Sequence, residues 1–183
     1  MEGLVDPKVI EMFWKEDLNP VLKKAAYLVV LQNACDESPW KFYGEDIGFG
    51  GKIGFSVHRL KNIADKVRLP FKKSTAYKVY KDLVKLGYVK ATRIQKKLRE
   101  YTFYSITKKG REASQETLDT LHTIPRIEEK YNQQFKADTM GFIARPDEWD
   151  TCWKRIGEIW EVPISEEFLS EIFTQATIFK SIN

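Results

Sequence analysis

The feature that most constrains this chain is the order of helix and strand signals between Ser56 and Gly110. Ser56 can cap a helix, because its hydroxyl can accept a hydrogen bond from a backbone N–H of the first turn. Leu69-Pro70 ends that helix, since a residue before proline is pushed out of the helical region. The apolar residues between these points recur on one face at helical spacing: Val57, Leu60, Ile63, Ala64 and Val67.

A second helix and a two-stranded ribbon follow. Ser74 is predicted to cap the helix, and Gly87 to end it where a left-handed cap costs least. β-Branched and aromatic residues are enriched from Tyr88 to Ile94 and from Tyr101 to Ile106, which is typical of strands. Thr107 then caps a further helix. The predicted basic tip between the strands consists of Gln95, Lys96, Lys97, Leu98 and Arg99.

The same segment resembles winged helix-turn-helix transcription regulators. The stretch from Lys73 to Leu83 (KSTAYKVYKDL), followed by Leu86-Gly87-Tyr88-Val89, is similar to their recognition helix and first wing strand. The stretch from Tyr104 to Gly110 (YSITKKG) is similar to the second wing strand and the following cap in the MarR-type and PadR-type branches. The resemblance implies that the second helix enters the DNA major groove and that the wing lies near the backbone or the minor groove.

Positive charge is concentrated in this segment. Residues 56–112 hold 17 Lys and Arg against 4 Asp and Glu, a net charge of +13 in a chain whose formal total is +4. The flanking parts are acidic, at −3 for residues 1–55 and −6 for residues 113–183. A basic face of this size attracts phosphate backbones and steers association. The alternative is that the lysines only solvate the surface of the domain.

The second helix should bury one face and offer the other to DNA. Its apolar positions, Ala76, Val79, Tyr80 and Leu83, share one side and should face the core. The opposite side, the turn before the helix and the basic tip supply the expected DNA-binding residues. They are Lys72, Lys73, Ser74, Thr75, Tyr77, Lys78, Lys81, Lys96, Lys97 and Arg99.

Two of these residues have alternative roles. Tyr77 can stack on a thymine methyl or bond to a phosphate, but it can equally pack on a neighbouring helix. Arg99 suits insertion into the minor groove, where the negative potential favours a guanidinium. Alternatively, Arg99 forms a solvated ion pair with Glu100.

The N-terminal part is predicted to supply the centre of the core. Asp6-Pro7 and Asn19-Pro20 are helix starts. The segment from Val21 to Ala34 is apolar nearly all round, as in a helix that is buried on several sides. Residues 38–55 are rich in glycine and aromatic residues. They form either a phosphate-binding loop or, as we favour, a long connection in which Lys52 to Phe55 supply a short third strand.

Helical patterns continue after Gly110. Ile124-Pro125 is predicted to interrupt the first helix, Pro146 to begin another and Ser165 to cap the last. The aromatic residues of the last two helices exceed what two short helices can bury between themselves. Either they complete the core with the Val21 helix, or they pair with a second subunit, as the resemblance favours. These residues include Trp149, Trp153, Trp160, Phe168, Phe173 and Phe179.

Other classes of protein are disfavoured. The sequence has no apolar run of membrane-spanning length and no leader pattern, so we expect a soluble, cytoplasmic protein without a membrane partner. Cys35 and Cys152 have no paired spacing and fit buried thiols better than a disulfide. His58 and His122 lie far apart and lack further ligands at metal-binding spacing. We therefore expect no metal, no cofactor and no catalytic residues.

The sequence as a whole predicts a mainly α protein with a small β-sheet: a winged helix-turn-helix with additional N- and C-terminal helices. We expect an N-terminal helix in 1–18, the DNA-binding domain in 19–122 and a helical dimerisation region in 123–183. The expected function is sequence-specific binding of double-stranded DNA by a homodimeric transcription regulator. The alternatives are a winged-helix protein–protein interaction module, or a DNA-handling protein of replication or recombination.

Overall fold

The protein is mainly helical and carries one small two-stranded antiparallel sheet, as expected. The computed structural model describes residues 13–15, 17–37, 54–135 and 145–173. The chain divides into two compact units at Ser114 and Gln115. In chain order, the elements are α1 (Asn19–Glu37), α2 (Val57–Lys66), α3 (Lys73–Lys85), β1 (Val89–Lys96), β2 (Arg99–Ile106), α4 (Lys108–Phe135), α5 (Asp147–Trp160) and α6 (166–173).

Helix α1 is the centre of the first unit. All seven residues from Ala25 to Leu31 are buried, which confirms that this helix is buried on several sides. The carbonyl of Leu18 accepts the N–H groups of Val21 and Leu22 at 3.0 and 2.9 Å. The helix therefore begins at the predicted Asn19-Pro20, but the backbone of Leu18 caps it. The predicted start at Asp6-Pro7 lies outside the described residues.

Helix α2 has the predicted cap and a shorter apolar face than expected. Ser56 Oγ accepts the N–H of Arg59 at 3.2 Å. Val57, Leu60 and Ala64 are buried and Ile63 is half-buried. The prediction for Val67 was wrong, because α2 ends at Lys66 and leaves the Val67 side chain 62% exposed.

Helix α3 buries the predicted face but begins earlier than predicted. Ala76, Val79, Tyr80 and Leu83 are all buried. The predicted cap at Ser74 was wrong: Lys72 is the cap residue, and its carbonyl accepts the Ala76 N–H at 2.8 Å. The cause is tertiary, since Phe71 is buried and the Lys72 N–H donates to the Tyr27 hydroxyl at 3.2 Å, which fixes the chain just before the helix.

The end of α3 confirms the glycine prediction. Gly87 has φ +81°, in the left-handed region. The N–H of Tyr88 donates to the carbonyl of Leu83, and the N–H of Gly87 to that of Val84, both at 3.0 Å. These two bonds form a Schellman motif, which satisfies the last carbonyls of the helix.

The β1–β2 hairpin is longer and its turn tighter than predicted. The ladder runs from Val89↔Ile106 to Lys96↔Arg99, so only Lys97 and Leu98 form the turn. The predicted five-residue tip was wrong, because backbone pairing continues through Gln95, Lys96 and Arg99 although their side chains are solvated. A third segment joins this sheet as a single bridge, in which Phe55 and Tyr104 exchange two hydrogen bonds of 2.8 Å. The rest of the expected third strand, and residues 38–53 as a whole, lie outside the described residues.

Helix α4 begins at the predicted cap and runs through the predicted break. Thr107 Oγ1 accepts the Gly110 N–H at 3.0 Å and donates to the Gly87 carbonyl at 2.7 Å. The interruption expected at Ile124-Pro125 was wrong. An interior proline costs about 3 kcal/mol. Burial of Leu121 and Ile124, which precede the proline in the same helix, is worth about 1.5–3 kcal/mol for each side chain, which offsets that cost.

The second unit has an aromatic core of its own. Pro146 is the cap residue of α5, and Ser165 Oγ accepts the Phe168 N–H at 3.1 Å, as predicted. The expectation of excess apolar surface was wrong for the described tryptophans and Phe173, because α4 helps to enclose them. Trp160 Nε1 donates to Thr117 Oγ1 of α4 at 2.9 Å. The buried aromatic residues are Trp149, Trp153, Trp160 and Phe173, whereas Phe168 is half-buried and Phe179 lies outside the described residues.

The Gly110 position gives a sharp stability test. A Cβ there would lie 2.2 Å from the Tyr88 carbonyl oxygen. A Gly→Ala change in an open helix position stabilises by about 1 kcal/mol. We expect Gly110→Ala to lower the free energy of unfolding instead, by about 1–3 kcal/mol, because the backbone must shift. Urea denaturation of the wild type and of the variant measures this change in the free energy of unfolding.

Lys108→Ala is the control for this test, because Lys108 is exposed in the same helical turn. It should change stability by less than about 0.5 kcal/mol. A Gly110→Ala protein at least as stable as the wild type contradicts the close packing of α4 on Tyr88.

Candidate nucleic-acid interface

The outer face of α3 presents the side chains expected there. Ser74, Tyr77, Lys78 and Lys81 are exposed and Thr75 is half-buried. The first turn of α3, all of which is described, carries no acidic residue. The N-terminal end of a helix already favours anions, because its first N–H groups lack partners within the helix. This face is therefore polar, basic and open to solvent.

Contacts from α1 hold α3 with this face outward. The Tyr80 hydroxyl donates to the Tyr27 carbonyl at 2.7 Å, beside the Lys72 bond to the Tyr27 hydroxyl. The Tyr80 ring also stacks on Tyr104 of β2, with centroids 5.1 Å apart. Burial raises the pKa of Tyr80 well above its usual range, so the hydroxyl keeps its proton and remains a donor.

The start of α3 also contacts an exposed histidine of α2. Lys73 Nζ lies 2.8 Å from His58 Nδ1. An ammonium can only donate, so this nitrogen of His58 is the acceptor in the contact. Asn62 Nδ2 lies 3.5 Å from the other ring nitrogen. His58 and Asn62 are residues that the sequence analysis did not assign to the site, although their i, i+4 spacing places both on one exposed face of α2.

The hairpin places its basic residues together at its far end. Lys96 and Arg99 are cross-strand partners, and Lys97 follows in the turn. Glu100 lies 3.8 Å from Arg93, so the ion pair considered for Arg99 is made by Arg93 instead. Both side chains of this pair are mostly exposed, and such pairs contribute little to stability. All six residues from 95 to 100 are exposed.

Tyr104 connects the outer face of α3 with the hairpin. Burial raises the pKa of Tyr104, the nearby Tyr77 hydroxyl raises it further, and Arg93 lowers it. Tyr77 and Arg93 thus lie within electrostatic range of the same hydroxyl. Tyr77 is 53% exposed, so it is not buried against a neighbouring helix. Arg93 was missed by the sequence analysis. Arg93 and Ala91 are two residues apart and therefore lie on the same face of β1, which is the face of the sheet that carries Tyr104.

Lys109 and Arg111 are basic residues of the segment whose side chains have structural partners. Lys109 Nζ donates to the Leu86 carbonyl at 3.0 Å and lies 5.5 Å from the centre of the Tyr88 ring. It thereby stabilises the C-terminal end of α3, where cations are favoured. Arg111 forms an ion pair of 2.8 Å with Asp36 of α1. The net charge of the segment therefore overstates what is available to a ligand.

Other chemistry has little support within the described ranges. No group of three or more His, Cys, Asp or Glu side chains there is placed to hold a metal ion. Cys35 and Cys152 are reduced thiols, and burial raises the pKa of Cys35 to about 11, so this thiol is protonated at neutral pH. None of the described helices is both long and apolar enough to cross a membrane.

Comparison with known proteins adds no relative: neither the protein-family models nor the curated proteins nor the solved structures contain a significant match to this chain.

Two tyrosines of α3 test how this helix is held. Tyr80→Phe removes a buried hydrogen bond and should lower the free energy of unfolding by about 1 kcal/mol. Tyr77→Phe is the matched control on the exposed face and should stay within about 0.5 kcal/mol of the wild type. Urea denaturation of both variants measures the difference. Equal stability of the two variants contradicts the role of the Tyr80–Tyr27 bond.

Proposed function

We propose that the first unit is a winged helix-turn-helix that binds double-stranded DNA. Helices α2 and α3 are the helix-turn-helix, α3 is the recognition helix, and the β1–β2 hairpin is the wing. One observation carries the proposal: the open face of α3 and the exposed basic hairpin belong to one unit, in a segment of net charge +13. A duplex offers phosphates along its backbone and base edges in its major groove, and such a surface matches both.

The contacts divide by position along α3. Lys72, Lys73 and Ser74 stand at the start of the helix, where Lys side chains and free N–H groups suit phosphate oxygens. Tyr77 and Lys78 lie further along the exposed face, with Thr75 and Lys81 beside them, and are assigned to base edges. Lys bonds to guanine O6 and N7, whereas the Tyr ring suits a thymine methyl.

The hairpin supplies contacts to the charged phosphate backbone and to the minor groove. Lys96, Lys97 and Arg99 are exposed at its end and are assigned to the backbone and the minor groove. Arg93 stands closer to α3 and is added to the contacts for the phosphates between the two grooves. The role as a homodimeric, sequence-specific transcription regulator is part of the proposal and rests on the resemblance alone. The buried tryptophans of α5 do not supply a dimer surface.

The first expectation concerns salt. If about six phosphates are contacted, log affinity for a mixed-sequence duplex should fall against log salt concentration with a slope near −5, because bound counterions are released. Fluorescence anisotropy across a salt series measures it. A slope shallower than about −2 contradicts an interface built on charge.

The second expectation separates α3 from the hairpin. Lys78→Ala should cost about 1–3 kcal/mol and relax base preference at one or two positions. Lys96→Ala should weaken all duplexes alike. Lys154→Ala, an exposed change in the second unit, is the control and should leave binding unchanged. Uniform losses from both Lys78→Ala and Lys96→Ala overturn the assignment of α3.

Selection from a random duplex pool tests the regulatory part. Enrichment of a two-fold symmetric site supports a sequence-specific dimer, because half-site symmetry mirrors protein symmetry. Binding without any enriched sequence contradicts a role as a specific regulator while leaving DNA binding itself intact.

A further inference from the structure

Leu98 occupies an unusual place at the end of the hairpin. Its side chain is 99% exposed, beyond the last strand pair of Lys96 and Arg99. Single exposed apolar residues are ordinary on protein surfaces, so this exposure by itself has no functional meaning. The backbone of the turn and the charges around Leu98 indicate that its exposure has a function.

The turn breaks the usual rules of hairpin sequences. Two-residue hairpin turns favour Asn-Gly, Asp-Gly or a leading Gly, because positive φ angles are required there. In this chain the pair is Lys97-Leu98, and Lys97 has φ 58° without being glycine. The sequence thus keeps a strained lysine and a solvated leucine where a glycine pair is easier to accommodate. Departures of this kind are expected at functional sites.

Positive charge surrounds the exposed leucine. Lys96, Lys97 and Arg99 are exposed beside it. Two copies of such a tip repel each other, which disfavours pairing of hairpins through Leu98. An apolar side chain in a ring of cations matches the DNA minor groove, because phosphates line the groove and apolar residues wedge between its base steps.

The hairpin is long enough for this contact. The last two strand pairs and the turn are exposed, so about three residues per strand project from the folded unit. At about 3.4 Å per residue, this arm reaches roughly 10 Å. The minor groove is about 7.5 Å deep, so the projecting arm is longer than the groove is deep and Leu98 at its end can reach the base edges.

We propose that Leu98 inserts into the minor groove as an apolar wedge that unstacks one base step and bends the duplex. Lys96, Lys97 and Arg99 bind the phosphates on either side. The inference rests on the proposed DNA binding and adds to it a bending activity and a preference for flexible pyrimidine–purine steps, which unstack most easily.

The experiment uses the full chain and a mixed-sequence duplex of about 30 base pairs with a central TA step. Energy transfer between dyes at the duplex ends reports bending, and 2-aminopurine beside the TA step reports unstacking. Wild-type protein should shorten the end-to-end distance and raise 2-aminopurine fluorescence. Leu98→Ala should abolish both signals and weaken binding about three- to tenfold. The slope of log affinity against log salt concentration should be the same as in the wild type, because no charge is removed.

Two further variants serve as controls. Leu98→Met keeps an apolar wedge and should retain bending. Val67→Ala removes another exposed apolar side chain, at the end of α2, and should behave as wild type. If the Leu98→Ala protein bends and binds the duplex as the wild type does, the proposed wedge is wrong, whereas the proposed DNA binding is unaffected.

The remaining outcomes also decide the matter. Wild-type protein that binds the duplex without bending it contradicts the wedge alone. Wild-type protein that does not bind the duplex at low salt overturns the wedge together with the proposed function. Loss of binding to anionic phospholipid vesicles in Leu98→Ala, with DNA binding unaffected, assigns the tip to a membrane surface instead and likewise refutes the inference.

Discussion

The pair of hydrogen bonds around Tyr27 is the interaction on which the proposed interface depends. Its hydroxyl accepts the Lys72 N–H and its carbonyl accepts the Tyr80 hydroxyl, so one residue of α1 fixes both the start and the middle of α3. The Tyr27 ring also packs against Phe71, 4.8 Å between centroids. Because α1 is buried nearly all round, it is a rigid reference for α3. One face of α3 is thereby committed to the core and the other to solvent.

A second junction fixes the hairpin relative to α3. Thr107 donates to the Gly87 carbonyl at the end of α3 and accepts the Gly110 N–H at the start of α4. The N–H of Thr107 also donates to the Tyr88 carbonyl at 3.0 Å. Both ends of the hairpin therefore meet at one residue, and Gly110 is needed because any Cβ there collides with Tyr88. This junction contains the Thr107-to-Gly110 part of the stretch that resembles the wing of those regulators.

Local signals predicted local structure well. The caps at Ser56, Thr107 and Ser165, and the glycine at the end of α3, were correct because each involves residues a few positions apart. Ser74 was wrong because a contact across 45 positions decides where α3 begins. The predicted break at Pro125 was wrong because burial of Leu121 and Ile124 offsets the missing hydrogen bond. His58 and Arg93 were missed, since only packing brings them beside α3 and Tyr104.

The central claim is that one surface, formed by the start and outer face of α3 and the outer half of the hairpin, binds duplex DNA. Titration of ¹⁵N-labelled protein with a mixed-sequence duplex, followed by amide chemical shifts, tests it most directly. The account predicts that the largest shifts fall on residues 72–81 and 93–101, with little change in α5. Large shifts concentrated in α5 and α6, or no shifts at low salt, contradict it.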